Sequence, residues 1–257
     1  MKGISTYISE KLRISSDKPT HLYKPNDSDK LKETISDLIV KRGLDADLND
    51  IDTSMIDNMN YLFYHDNRFN GDISEWNVSN VTNMYGTFCV CKNFNSDLSR
   101  WDVSNVKNMA FMFDGCEKFN SDIFEWNVSK VTNMSNMFNS CKSFNQDLSH
   151  WDVSNVTNMY GMFCLCISFN SDLSNWDVSN VTDMGQMFYG CEKFNQDISG
   201  WNIYNVEDMS NMFYGCKKLN QDLSKWKLYK NRVKVHTSGM ITGCTSLKST
   251  PCTKMIS

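Results

Sequence analysis

All seven tryptophans of this chain, Trp76, Trp101, Trp126, Trp151, Trp176, Trp201 and Trp226, stand 25 residues apart, a placement that chance does not produce. Cys91, Cys116, Cys141, Cys166, Cys191 and Cys216 keep the same interval, and so do Val81, Val106, Val131, Val156, Val181 and Val206. Self-similarity at a period of about 20 to 50 residues marks stacked repeats. One such unit cannot bury its apolar side alone, so neighbouring units complete a shared core.

The unit at 94–118, FNSDLSRWDVSNVKNMAFMFDGCEK, changes its apolar spacing partway along. Leu98, Trp101 and Val103 follow the spacing of a leucine-rich strand, with Trp101 and Val103 two apart and on one face. Met109, Met112, Phe113 and Cys116 then fall at i, i+3, i+4 and i+7, the spacing of one face of a short helix. The fold expected is an α/β solenoid, a leucine-rich-repeat-like stack of about eight strand–turn–short-helix units with a parallel sheet and an N-terminal capping helix. At roughly 4.8 Å per strand it would be on the order of 40 Å long.

The period extends upstream of the first tryptophan, because Leu44, Leu48, Ile51, Ile56, Met59 and Phe63 precede Phe69, Ile73, Trp76, Val81, Met84 and Phe88 by 25 residues. Before that unit, Asp27 or Ser28 is placed to cap a helix carrying Leu31, Ile35, Leu38 and Ile39, ended by Gly43. After Trp226 the interval lengthens to 28, as Gly243 and Cys244 follow Gly215 and Cys216. Lys225, Lys227, Lys230, Arg232 and Lys234 load this last unit with positive charge, a common guard against edge pairing. The expected organisation is an arm and capping helix at 1–43, the repeats at 44–225 and a degenerate cap at 226–257, with 1–25 read as a flexible or docking segment.

The phrases FNQDISGWN and NVTNMYGMF, recurring with a cysteine after them, resemble the BspA-like family of bacterial-surface-protein repeats, a divergent branch of the leucine-rich repeats. The resemblance covers roughly 44–250 and is carried by positions such as Phe144, Asn145, Asp147, Leu148, Trp151, Val156, Met159, Met162, Phe163 and Cys166. It implies an adhesin-like or protein-binding scaffold of bacteria, protists or viruses, with no catalytic residue and no cofactor. The 43 residues before the repeats depart from the family pattern.

A net charge of −4 disfavours nucleic acid, which calls for a concentrated basic face. No run of 18 apolar residues and no secretory signal is readable, so the expected location is cytoplasmic, or surface or virion by a non-classical route. The cysteine column reads as reduced, buried thiols used as small hydrophobes, although stacked thiols about 5 Å apart would also suit disulfides. Asp72, Asp97, Asp122, Asp147, Asp172, Asp197 and Asp222 follow Asn70, Asn95, Asn120, Asn145, Asn170, Asn195 and Asn220 by two residues. These columns read as turn-bonding side chains, with calcium bridging the alternative. The methionine column, Met109, Met112, Met134 and Met137 among them, reads as core rather than as a binding surface. His21, His65, His150 and His236 share no metal spacing, and no nucleophile or phosphate-loop motif occurs.

The function expected is therefore a non-enzymatic scaffold for a protein or cell-surface macromolecule. The alternatives are a structural spacer or assembly component of a cell surface or virion and, more remotely, a solenoid carbohydrate-active enzyme. The column before tryptophan varies from unit to unit and should face outward. Arg100, Glu125, His150 and Asn175, with Asp102, Asn127, Asp152 and Asp177 beside them, are the expected partner-binding residues.

Overall fold

The computed structural model describes residues 21–230 and 233–248, with backbone alone for 229, 230, 233 and 234. The chain winds as 25-residue coils stacked on one another, beginning at 44–68 and numbered one to seven up to 218, with a final longer coil beyond. The inward columns are those that the period marks. Trp101, Val103, Val106, Met109, Met112, Phe113 and Cys116 are all buried, and one apolar cluster runs from Leu31 to Met240.

The conformation of the coils overturns the expected leucine-rich-repeat architecture. Among the described residues there is one helix, α1 (Ser28–Arg42), and the only paired strands are β1 (Tyr229–Lys230) and β2 (Val233–Lys234), an antiparallel hairpin. No parallel sheet and no helix recurs in the coils. Parallel contacts between coils reduce to isolated bridges, Asp47↔Asp72 and one column from Asn58↔Asn83 through Asn158↔Asp183 to Asp208↔His236.

The reason lies in where the amides go. Across the segment expected to be helical, alternate N–H groups leave the coil. Met109, Phe111, Phe113 and Gly115 donate to the carbonyls of Asn133, Ser135, Met137 and Asn139 at 2.8–3.0 Å. The intervening amides of Met112, Asp114 and Cys116 close turns onto Met109, Phe111 and Phe113. A helix would send every amide to the residue four before it. Phe111 (φ 58°) and Gly115 (φ 74°) are left-handed, which ends any helix and turns the next amide toward the neighbouring coil.

The expected strand is likewise two turns in succession. Trp101 N–H donates to Leu98 and Val106 N–H to Val103, and each turn opens on a side-chain acceptor, Asp97 for Ser99 N–H and Asp102 for Ser104 N–H. Here the coils join mainly through side chains. Each Asn70-column oxygen up to Asn195 accepts the amide of the next asparagine, as Asn95 does from Asn120 N–H at 2.7 Å, and Asn220 accepts from Lys248 N–H. Asn105 Nδ2 donates to the Ser79 carbonyl, and Trp101 Nε1 to the Ile73 carbonyl at 3.0 Å. Every indole N–H of the column but that of Trp226 is thus paired while the rings stack, as for Trp76 over Trp101 at 6.3 Å and 5° and Phe88 over Phe113 at 5.5 Å and 5°.

Helix α1 occupies the segment read from its caps. Asp27 accepts from Lys30 N–H at 2.8 Å, Gly43 N–H returns to Ile39 at 2.9 Å, and Leu31, Ile35 and Leu38 join the core. Ser28 Oγ donates to the Asn58 carbonyl, and Arg42 forks onto Asp50 at 2.9 and 2.7 Å, so the helix is fastened to the first coil. At the far end, the β1–β2 hairpin takes up the extra residues of the last interval before His236 rejoins the bridge column. The start of the expected flexible arm, residues 1–20, lies outside the described residues, as do Arg232 and the end of the expected cap beyond 248.

Candidate functional site

The eight residues expected to bind a partner form two neighbouring exposed columns. Their chemistry differs. Asp102, Asn127, Asp152 and Asp177 each accept the amide two residues on, at 3.0–3.1 Å, so one oxygen of each is committed to holding its own turn. The serine hydroxyls of Ser104 and Ser179 bond Asp102 and Asp177 as well and, with the backbone amide, hold both carboxyls below the usual aspartate range. In the column before tryptophan, Arg100 pairs with Glu75 of the preceding coil and His150 lies against Phe124 with ring centres 4.3 Å apart. Glu125 and Asn175 are exposed.

The aspartates from Asp72 to Asp222 are exposed and cap turns, Asp147 accepting from Ser149 N–H and Asp197 from Ser199 N–H at 2.9 Å. No group of three or more His, Cys, Asp or Glu among the described residues is arranged to hold a metal. The nine described cysteines are free, and all but Cys244 are buried. Column thiols donate to the phenylalanine carbonyl of the preceding coil, Cys116 to Phe88 and Cys141 to Phe113 at 3.0 Å. Burial raises the thiols, the off-column Cys89 to about 12 and Cys164 to about 11, so they are protonated near neutral pH.

A second surface escaped the sequence reading. The turns spanning 109–117 and their equivalents project side chains at the places held in coil one by Asn60, Tyr61, Tyr64 and His65. In coils one to three this turn face carries an aromatic group: Tyr61 meets Tyr64 and Tyr85 edge-on at 5.0 and 5.1 Å, Tyr64 meets His65 at 4.3 Å, and Tyr85 lies 5.4 Å from Phe111. The Tyr85 hydroxyl bonds that of Tyr61 and raises Tyr61 to about 12. Asp114 of coil three and Asn136 and Asn139 of coil four make the face polar next, and coils five to seven carry apolar and aromatic groups again, with Leu165, Tyr189 and Tyr214.

Large and small residues alternate along this face for a steric reason. A Cβ at Gly86 would sit 2.7 Å from the Tyr61 ring, and one at Gly190 would sit 2.8 Å from Leu165 Cδ2. Tyr61 and Leu165 therefore each lie over a glycine of the next coil, which fixes their direction. The readable signal was a set of four columns mixing tyrosine, serine, asparagine and glycine beside columns that hardly change.

Flanking this face, Asp183 accepts from Gly185 N–H at 2.9 Å at a place held by Asn83, Asn108, Asn133 and Asn158 in earlier coils. Burial, and secondarily Asp208, raises its carboxyl above the ordinary aspartate range. A raised carboxyl contributes stability only while protonated, fully below the ordinary aspartate pKa, and that contribution is lost as pH rises through the folded value. At neutral pH the ionised group is a cost that asparagine avoids while keeping the turn bond. Asp183→Asn should raise the melting temperature by about 2 °C at pH 7 and by nothing near pH 3, followed by calorimetry. A gain of equal size at both pH values would contradict this origin.

Stacked coils with a repeating core and a varied outer surface define a repeat protein. Residues 31–151 and 133–254 each match the family described as "Mycoplasma protein of unknown function, DUF285", and the chain belongs to that family. No curated protein and no solved structure matches it significantly. Among the described residues no helix is long and apolar enough to cross a membrane.

Proposed function

We propose that this chain is a non-enzymatic scaffold that binds a protein partner through its turn face. The supporting observation is compositional. On coils whose core columns barely change, the four turn-face columns change from unit to unit, with tyrosine, glycine, asparagine and serine the commonest residues among them. Tyrosine supplies rigid amphipathic contact area at little entropic cost, and the small polar residues supply adaptable hydrogen bonds, as in antibody paratopes. A close kinship with BspA-like repeats, carried by the FNQDISGWN phrase, belongs to the same proposal and agrees with an adhesion or surface-binding role.

The test compares two sets of substitutions in the full chain by affinity capture from the native source. Tyr64→Ser, Tyr85→Ser and Tyr189→Ser together should reduce capture of the cognate partner about tenfold or more without unfolding the coils. Arg100→Ala, Glu125→Ala and His150→Ala should leave capture unchanged. Loss with the second set and not the first would place the contact on the columns flanking tryptophan instead.

A further inference from the structure

We infer that the apolar ridge of coils five to seven is a subsite for a peptide segment of the partner that combines apolar side chains with carboxylates. This rests on the reading of the turn face as the binding face. Leu165 and Ile167 stand side by side, 41% and 42% exposed, and Ile167 N–H closes onto the Leu165 carbonyl at 2.9 Å. Leu165 N–H donates to the Tyr189 carbonyl of the next coil, and Tyr189 stacks on Tyr214 at 4.8 Å and 5°. These side chains form one strip along the stack. Apolar side chains at least partly exposed on three successive coils in this way are the mark of an interaction site.

The charges beside the strip select the occupant. Ile167 lies in a column of ion pairs, Lys92 and Lys142 on Glu117 and Lys217 on Glu192, so its neighbours Lys142 and Glu192 are each satisfied in the direction away from it. The next column holds Lys193 and Lys218, both exposed, with no salt bridge to any described residue and no acidic residue in that column of any coil. A segment laid on the strip thus meets unpaired ammonium groups along one edge, which favours carboxylates there.

A second copy does not supply this chemistry. Antiparallel two-fold pairing of strips opposes like lysine edges, and parallel pairing sets them against an edge with no free carboxylate row. The acidic columns of another copy are rows of turn-capping aspartates rather than an apolar strip. An anionic bilayer is disfavoured by the net charge of −4 and the row of exposed aspartates.

The probe is a displayed library of random peptides about 12 residues long, panned against the full chain. Enriched peptides should carry two or more apolar or aromatic residues and net negative charge. Their affinity should fall about tenfold for Leu165→Ser with Ile167→Ser, and again for Lys193→Glu with Lys218→Glu. Enrichment of basic peptides, of none, or of peptides indifferent to both pairs would overturn the inference. So would binding to phosphatidylglycerol–phosphatidylcholine vesicles that Leu165→Ser with Ile167→Ser abolishes, which would assign the strip to a membrane. The tyrosine-set capture experiment is independent of these arms. A failed subsite with capture still lost in the tyrosine set removes this inference alone, whereas capture indifferent to that set removes the turn-face reading itself.

Discussion

Replacing Trp151 with alanine should cost about 3–5 kcal/mol, the range for deleting a large buried aromatic, and lower the melting temperature by about 10 °C. The indole is 3% exposed, lies parallel to Trp126 at 6.4 Å and 5°, and packs against Phe138 at 6.2 Å. Its Nε1 donates to the Ile123 carbonyl at 3.1 Å, one of the bonds that replace a backbone ladder on this side of the coil. Trp151→Phe separates the two contributions, since it keeps most of the ring and removes the donor. About 1–2 kcal/mol should be lost there, from the indole hydrogen bond and the part of the ring that is removed, while the Ile123 carbonyl keeps the Trp126 N–H at 3.2 Å. Chemical denaturation of both variants reads the difference. Equal losses would mean that the ring contacts contribute little beyond the hydrogen bond.

Excision of residues 113–137, a whole period, should leave a folded protein shorter by one coil. Met112 is then followed by Phe138, which occupies the column of Phe113, so every inward residue and every cross-coil donor keeps its place. Excision of 113–138 removes one residue more and should unfold or grossly destabilise the chain, by on the order of 5 kcal/mol. Phe138 is completely buried, and its N–H donates to the Met162 carbonyl at 2.9 Å. Its loss shifts each following alternate amide of that turn onto the wrong partner. The three extra residues of the last interval are tolerated because the β1–β2 hairpin takes them up at a corner before the ladder resumes at His236. Far-UV circular dichroism and melting of the two deletions decide the matter. Equal stability would show that the coils are not held in register.

Much of the burial was legible in the sequence, and much of the backbone was not. Tryptophan, valine, methionine, phenylalanine and cysteine columns had to face inward because only stacking can bury an unpaired apolar side. Helix α1 was legible from its caps, since Asp27, Gly43 and the spacing of Leu31, Ile35 and Leu38 agree on one element. The coils misled because Met109, Met112, Phe113 and Cys116 share their spacing with a helix face, while closed turns at i and i+3 produce the same burial. Phe111 carries no mark of its left-handed backbone, and the glycine before cysteine in only some coils is a faint one. Asp97-x-Ser99 and Asp102-x-Ser104 did signal turns and compete with the strand reading, but the inward alternation of Trp101 and Val103 fits both. The turn face was hidden for the same reason, because a helix over 109–116 would leave its residues on an ordinary solvent-facing side.

The most direct test of the coil architecture is the trans-hydrogen-bond scalar coupling measured by NMR on the uniformly labelled full chain. The amides of Met109, Phe111 and Phe113 should couple to the carbonyls of Asn133, Ser135 and Met137, 24 residues ahead, with the amides of Met112 and Asp114 coupled three residues back. Couplings from these amides to carbonyls four residues back within 105–116 would establish a helix in each repeat and contradict the account.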